Sequence, residues 1–150
     1  MKLSTIREIL DATVLSGEEH LDREVLAACG SDFMSDVLAY VKDQALLLTG
    51  LVNPQVVRTA EMLDMKCIVF VRGKMPDESI LKLAQARDIV VMRSPKRMYD
   101  ACGLLYLNGL RGPPAPKGGA TKRQPLSMEC YTVRIQKTFC RVRKTVVCLF

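Results

Sequence analysis

The sequence predicts one α/β domain of three layers, a mostly parallel sheet with helices on both faces, and three observations carry that reading. Apolar runs at residues 45–48, 67–71 and 89–92 alternate with amphipathic segments, the pattern of successive βαβ units. Helix-start signals fall between the runs: Asn53-Pro54 and Ser94-Pro95 set a capping side chain before proline, and Pro76 stands near a third start. Val56, Ala60 and Leu63 recur at i, i+4, i+7, as do Met98, Cys102 and Leu105, so each helix has one face to lay on the sheet. Such a domain is Rossmann-like.

Taken in order, Thr5-x-x-Glu8 reads as the capping box of a short opening helix that contains Ile6 and Leu10. Two short β-type stretches follow, near residues 13–15 and 24–28, punctuated by Gly17 and Gly30. A helix starting at Ser31 or Asp32 would bury Phe33, Val37 and Tyr40, which share the helical spacing. Then come the three strand and helix repeats. Met34, Met62, Met65 and Met98 fall in helical segments or at their ends, where filling the core is the ordinary role of methionine.

A chain of 150 residues can bury one real core and is short for two. No apolar run approaches the roughly 18 to 20 residues that a bilayer-spanning helix needs, so no membrane association is expected. Residues 1–5 lead straight into an amphipathic pattern without the apolar stretch of a secretory signal, and the expected location is the cytoplasm. Six cysteines are scattered without a C-x-x-C pair, and His20 is the single histidine. That pattern speaks against zinc and for Cys67 and Cys102 as small buried thiols in a reducing compartment.

Charge divides the chain. Residues 1–110 hold 13 Lys+Arg against 15 Asp+Glu, whereas residues 111–150 hold 9 against 1. The expected organisation is therefore an α/β domain at 1–110, a Pro/Gly-rich basic linker at 111–126, and a basic tail at 127–150 that is either a hairpin or disordered. The tail's abrupt gain of arginine and cysteine would also suit a shifted reading frame. Cys148 stands third from the end, so the prenylation pattern is not met.

In a parallel sheet the loops after the strands gather at one edge, where helix amino termini point and ligands bind. The candidate ligand-binding residues are Ser31, Asp32, Thr49, Gly50, Asn53, Arg72, Gly73, Lys74, Arg93 and Ser94, with Lys96 adding charge nearby. Free amides and basic side chains suit a phosphate-bearing ligand; the plainer reading makes these residues caps, turns and solvated surface. Neither G-x-x-x-x-G-K-[ST] nor G-x-G-x-x-G occurs, so nucleotide hydrolysis and hydride transfer lack their usual apparatus. His20 lies among Glu18, Glu19 and Asp22, as in an exposed turn, and Asp32 with Asp36 finds no third metal ligand. No catalytic residue, metal or cofactor is expected.

Several blocks together resemble the stand-alone DRTGG-domain proteins of bacteria. They are Ala28-Cys29-Gly30-Ser31-Asp32, Met34-Ser35-Asp36-Val37-Leu38-Ala39, Leu46-Leu47-Leu48-Thr49-Gly50-Leu51, Asn53-Pro54-Gln55-Val56-Val57-Arg58-Thr59-Ala60 and Ile68-Val69-Phe70-Val71-Arg72-Gly73-Lys74. The resemblance implies a regulatory α/β module, found alone or attached to CBS domains, phosphotransacetylases and related enzymes, and similar in fold to the amino-terminal domain of HPr kinase. Thr49-Gly50 fit the Thr-Gly element of the naming signature, while Leu51 replaces its second glycine and no Asp-Arg pair precedes it.

The expected function is a non-catalytic sensor, not an enzyme, that binds a small anionic ligand such as an adenine nucleotide and contacts a protein partner or a second copy as a homodimer. The alternative is nucleic-acid binding through the basic tail, for which aromatic stacking residues are sparse: only Tyr131, Phe139 and Phe150.

Overall fold

A computed structural model describes residues 1–41 and 44–113. Strands β1 (Thr13–Ser16), β2 (Ala27–Gly30), β3 (Ala45–Thr49), β4 (Cys67–Phe70) and β5 (Val90–Arg93) form one sheet in the order β1-β5-β4-β3-β2. Strands β2 to β5 run parallel, and β1 is antiparallel to β5, with an irregular register between Val14 and Ser16. The helices are α1 (Leu3–Ile9), α2 (Met34–Tyr40), α3 (Pro54–Met62), α4 (Glu78–Gln85) and α5 (Met98–Leu107).

Because β2, β3, β4 and β5 are spatial neighbours in chain order, three crossovers of the same hand set α2, α3 and α4 on one face. Helices α1 and α5, outside the repeats, cover the other. Alternation along the strands sorts the core between them. Leu47, Ile68, Phe70 and Val91 pack with Val37, Val56, Val57, Ala60 and Ile80. Leu46, Leu48, Val69 and Met92 pack with Leu3, Ile6, Ala101 and Leu105. Every residue of β3 and β4 is buried, which is why both read as unbroken apolar runs. Each large aliphatic side chain enclosed here contributes about 1.5–3 kcal/mol relative to exposure.

Several element starts differ from the sequence expectation, each for a local reason. Helix α1 begins at Leu3 after Lys2, with Thr5 inside it and no capping box. The Leu3 and Ser4 amides donate instead to the carbonyls of Arg23 and Leu21, at 3.0 and 2.9 Å, so no side-chain cap is needed. Strand β2 starts at Ala27 rather than near Glu24, since Glu24 bridges Lys2 and the Val25 amide bonds the Met1 carbonyl. Strand β5 starts one residue later than its apolar run.

Helix α2 starts at Met34 and buries Met34 and Val37, with Val41 just beyond its end; Phe33 and Tyr40 are exposed. Ser31 turns the chain first: its Oγ accepts a hydrogen bond from the Phe33 amide at 3.1 Å. Helix α5 starts at Met98, not at Ser94-Pro95. Ser94 is buried, its Oγ donating to the Leu10 carbonyl at 2.7 Å and accepting from the Lys96 amide at 3.2 Å. Asn53 does cap α3, accepting from the Gln55 amide at 2.8 Å. Met34 and Met65 fill the core, whereas Met62 is exposed.

The first residues of the Pro/Gly-rich stretch lie beside β2, where the Arg111 carbonyl accepts from the Ala28 amide at 2.9 Å. The rest of that stretch, and the whole basic tail, lie outside the described residues. Among the described residues no helix is long and apolar enough to cross a membrane.

Candidate ligand site at the carboxyl edge of the sheet

The loops following β2, β3 and β4 meet on one carboxylate. Asp32, two residues past β2, accepts from the Thr49 hydroxyl at 2.9 Å and from the Gly50 amide at 2.6 Å, both through Oδ1. Its Oδ2 accepts from the Arg72 guanidinium at 3.2 Å. Lys74 closes the group by donating from Nζ to the Gly50 carbonyl at 2.6 Å. Thr49 Oγ1, besides donating to Asp32, accepts from the Leu51 amide at 3.1 Å and so holds the bend at the strand end.

Backbone geometry explains the glycine and the arginine. A Cβ at Gly50 would fall 1.6 Å from an Arg72 guanidinium nitrogen, so the guanidinium lies directly over a residue that has no side chain. Arg72 and Gly73 both carry left-handed backbone angles, φ 62° and 64°, and the Lys74 amide reaches back to the Val71 carbonyl at 3.4 Å. That is the conformation of a type I′ turn. The turn is anchored by its own amides, with Arg72 donating to the Lys96 carbonyl and Gly73 to the Ser94 carbonyl, both at 2.8 Å.

Partial burial alone would raise the pKa of Asp32. The Gly50 amide, the Thr49 hydroxyl and the Arg72 charge outweigh it and hold the carboxyl below the usual aspartate range. The Asp32 and Arg72 side chains are 43% and 46% exposed, so solvent and small solutes reach both.

Of the ten residues singled out from sequence, the structure brings five into direct contact: Asp32, Thr49, Gly50, Arg72 and Lys74. Gly73 shapes the turn, and Asn53 and Ser31 act locally. Ser94 faces the core and supports the turn through its carbonyl. Arg93, half-buried, ends β5 on the face that Thr49 shares by alternation. Sequence reasoning placed Asp32 among the ligand-binding candidates near a helix start, but missed its place as the acceptor on which donors of the two neighbouring loops meet.

His20 lies at the opposite edge of the sheet, its Nε2 3.7 Å from carboxylate oxygens of Glu19 and Asp88. A cavity of about 110 Å³ sits elsewhere, between β2, β3 and α5, lined by Ala28, Gly30, Leu48, Cys102, Leu105 and Leu110 among others. Burial pushes up the thiol pKa of Cys67, and also those of Cys29 and Cys102, so none carries the character of an activated nucleophile.

Comparison with known proteins adds two findings. The family profile of the DRTGG domain matches residues 5–106. Among solved structures, the chain is similar to the crystal structure of the CBS and DRTGG domains of the regulatory region of Clostridium perfringens pyrophosphatase complexed with its activator, diadenosine tetraphosphate. The TM-score is 0.60 at 18% identity, over 91% of this chain and 60% of that one, so the chain spans about three fifths of that structure. A search of curated proteins found no match. The three-layer fold shared with that structure and a family match over two thirds of the sequence agree: the chain belongs to the DRTGG domain family.

Proposed function

We propose that this chain is a non-catalytic regulatory module whose carboxyl sheet edge binds a small anionic ligand, with adenine nucleotides the first class to test. The observation that carries the reading is the convergence of donors from Thr49, Gly50 and Arg72 on one partly solvent-exposed carboxylate, with the Lys74 ammonium on the adjoining Gly50 carbonyl. A phosphoryl oxygen has the same needs as that carboxylate: amide and hydroxyl donors and a guanidinium with planar N–H groups. The similar pyrophosphatase region, crystallised with an adenine dinucleotide activator, supports the choice of ligand class.

A module of this kind acts through a protein partner or a second copy of itself, because binding has no other outlet when no chemistry follows. Action in the bacterial cytoplasm, where Cys29 and Cys102 stay reduced, fits the reading. The test is a thermal-shift titration of the full chain with AMP, ATP and diadenosine tetraphosphate at constant ionic strength. A saturable rise in Tm is expected. Arg72→Ala should raise the half-saturating concentration by about tenfold or more, the loss of a charge-assisted hydrogen bond. Unchanged affinity in a folded Arg72→Ala variant would remove this site from the account.

A further inference from the structure

We infer that Asp32 is an internal competitor: its carboxylate occupies the anion position of the site, and an incoming anion must displace it. The inference rests on the anion-site reading above and specifies how that site is regulated.

The argument is one of donors and acceptors. The Gly50 amide belongs to a buried residue, and its only partner among the described residues is Asp32 Oδ1, at 2.6 Å. The Thr49 hydroxyl proton goes to the same oxygen and an Arg72 N–H to the other. Three donors from two loops thus surround a carboxylate supplied by a third. A buried amide left without an acceptor is costly, so the position must hold an anion or another acceptor at all times.

Asp32 is held there through its side chain. It lies in the short connection between β2 and α2, outside both elements, with nearly half of its side chain in solvent. Turning the Asp32 side chain away would bare the Gly50 amide, the Thr49 hydroxyl and the Arg72 guanidinium together, and the Arg72–Gly73 turn would remain anchored by the Lys96 and Ser94 carbonyls. Two anions cannot share the position, since like charges in contact repel strongly. Ligand affinity is therefore set below the intrinsic strength of the donors by the work of expelling Asp32, and any partner that holds Asp32 outward raises it.

The experiment measures binding of inorganic phosphate and pyrophosphate, at matched ionic strength, to the wild-type chain, Asp32→Ala, Asp32→Asn and Asp32→Ala/Arg72→Ala. The readouts are saturable thermal shift and calorimetry, with circular dichroism to establish folding. Asp32→Asn keeps an acceptor for the Gly50 amide and decides the matter should Asp32→Ala fail to fold. The expected result is at least a tenfold lower half-saturating concentration in the charge-removed variants, lost again in the double variant. Equal or weaker binding by a folded variant overturns the inference, as does a gain that survives loss of Arg72. Failure of the wild type to bind nucleotides, with the gain present in Asp32→Ala, would refute the nucleotide reading and leave the competitor in place. Nucleotide binding that depends on Arg72 without any gain in the Asp32 variants would do the reverse.

Discussion

Among single residues, Asp32 has the clearest solution signature. Its folded pKa is depressed, so its contribution to stability is fully present above the unfolded value of about 3.9 and is lost as pH falls through the folded pKa. With nearly half of the side chain in solvent, that contribution is no more than about 1 kcal/mol. The Tm of Asp32→Asn should fall less steeply than that of wild type below about pH 4, and the two profiles should run parallel near neutrality. Coincident acid limbs would show that the carboxylate is not held by the Thr49, Gly50 and Arg72 donors in solution.

At the scale of elements, the joints between helices and strands matter more than the helices' own caps. Ser94 is the instance: it follows β5 directly and fixes the loop that leads to α5, through bonds to Leu10 at the end of α1 and to Lys96. Ser94→Ala would leave the buried Leu10 carbonyl without its partner, a loss of about 1–3 kcal/mol. For a domain of this size the expected fall in Tm is on the order of 10 °C, with an unchanged slope in urea denaturation. A fall below about 2 °C would mean that water replaces the hydroxyl. The same joints explain which elements the sequence made legible. Strands β3 and β4 were plain because both faces are buried, and α3 because Asn53 caps it in the ordinary way. The starts of α1, α2 and α5 were not, because backbone carbonyls from distant segments, a serine turn and a core hydrogen bond settle them. No local pattern announces a partner tens of residues away.

For the whole molecule, the parallel order of β2 to β5 decides where the site lies, and that order was readable from the alternation of runs. The site's membership was half readable. Thr49, Gly50, Arg72 and Lys74 stand at strand ends where loops must gather, but the role of Asp32 depends on the Ser31 turn between β2 and α2, which periodicity does not encode. The antiparallel β1 is also tertiary in origin, being set by pairing with β5 and by the contact of α1 with the loop after it.

That last contact gives the molecule a mechanical property. From the Arg72–Gly73 turn, hydrogen bonds run to the Ser94 and Lys96 carbonyls, and from the Ser94 hydroxyl to Leu10 at the end of α1. They form a strut that begins at the strand-end loops and finishes on the face of the sheet covered by α1 and α5. The strut ties the Arg72–Gly73 turn to residues 10–12 at the end of α1 through hydrogen bonds alone. Amide hydrogen exchange at Asp11 and Ala12 should slow when the site is saturated. Exchange rates unaltered there would confine the response to the edge where it starts.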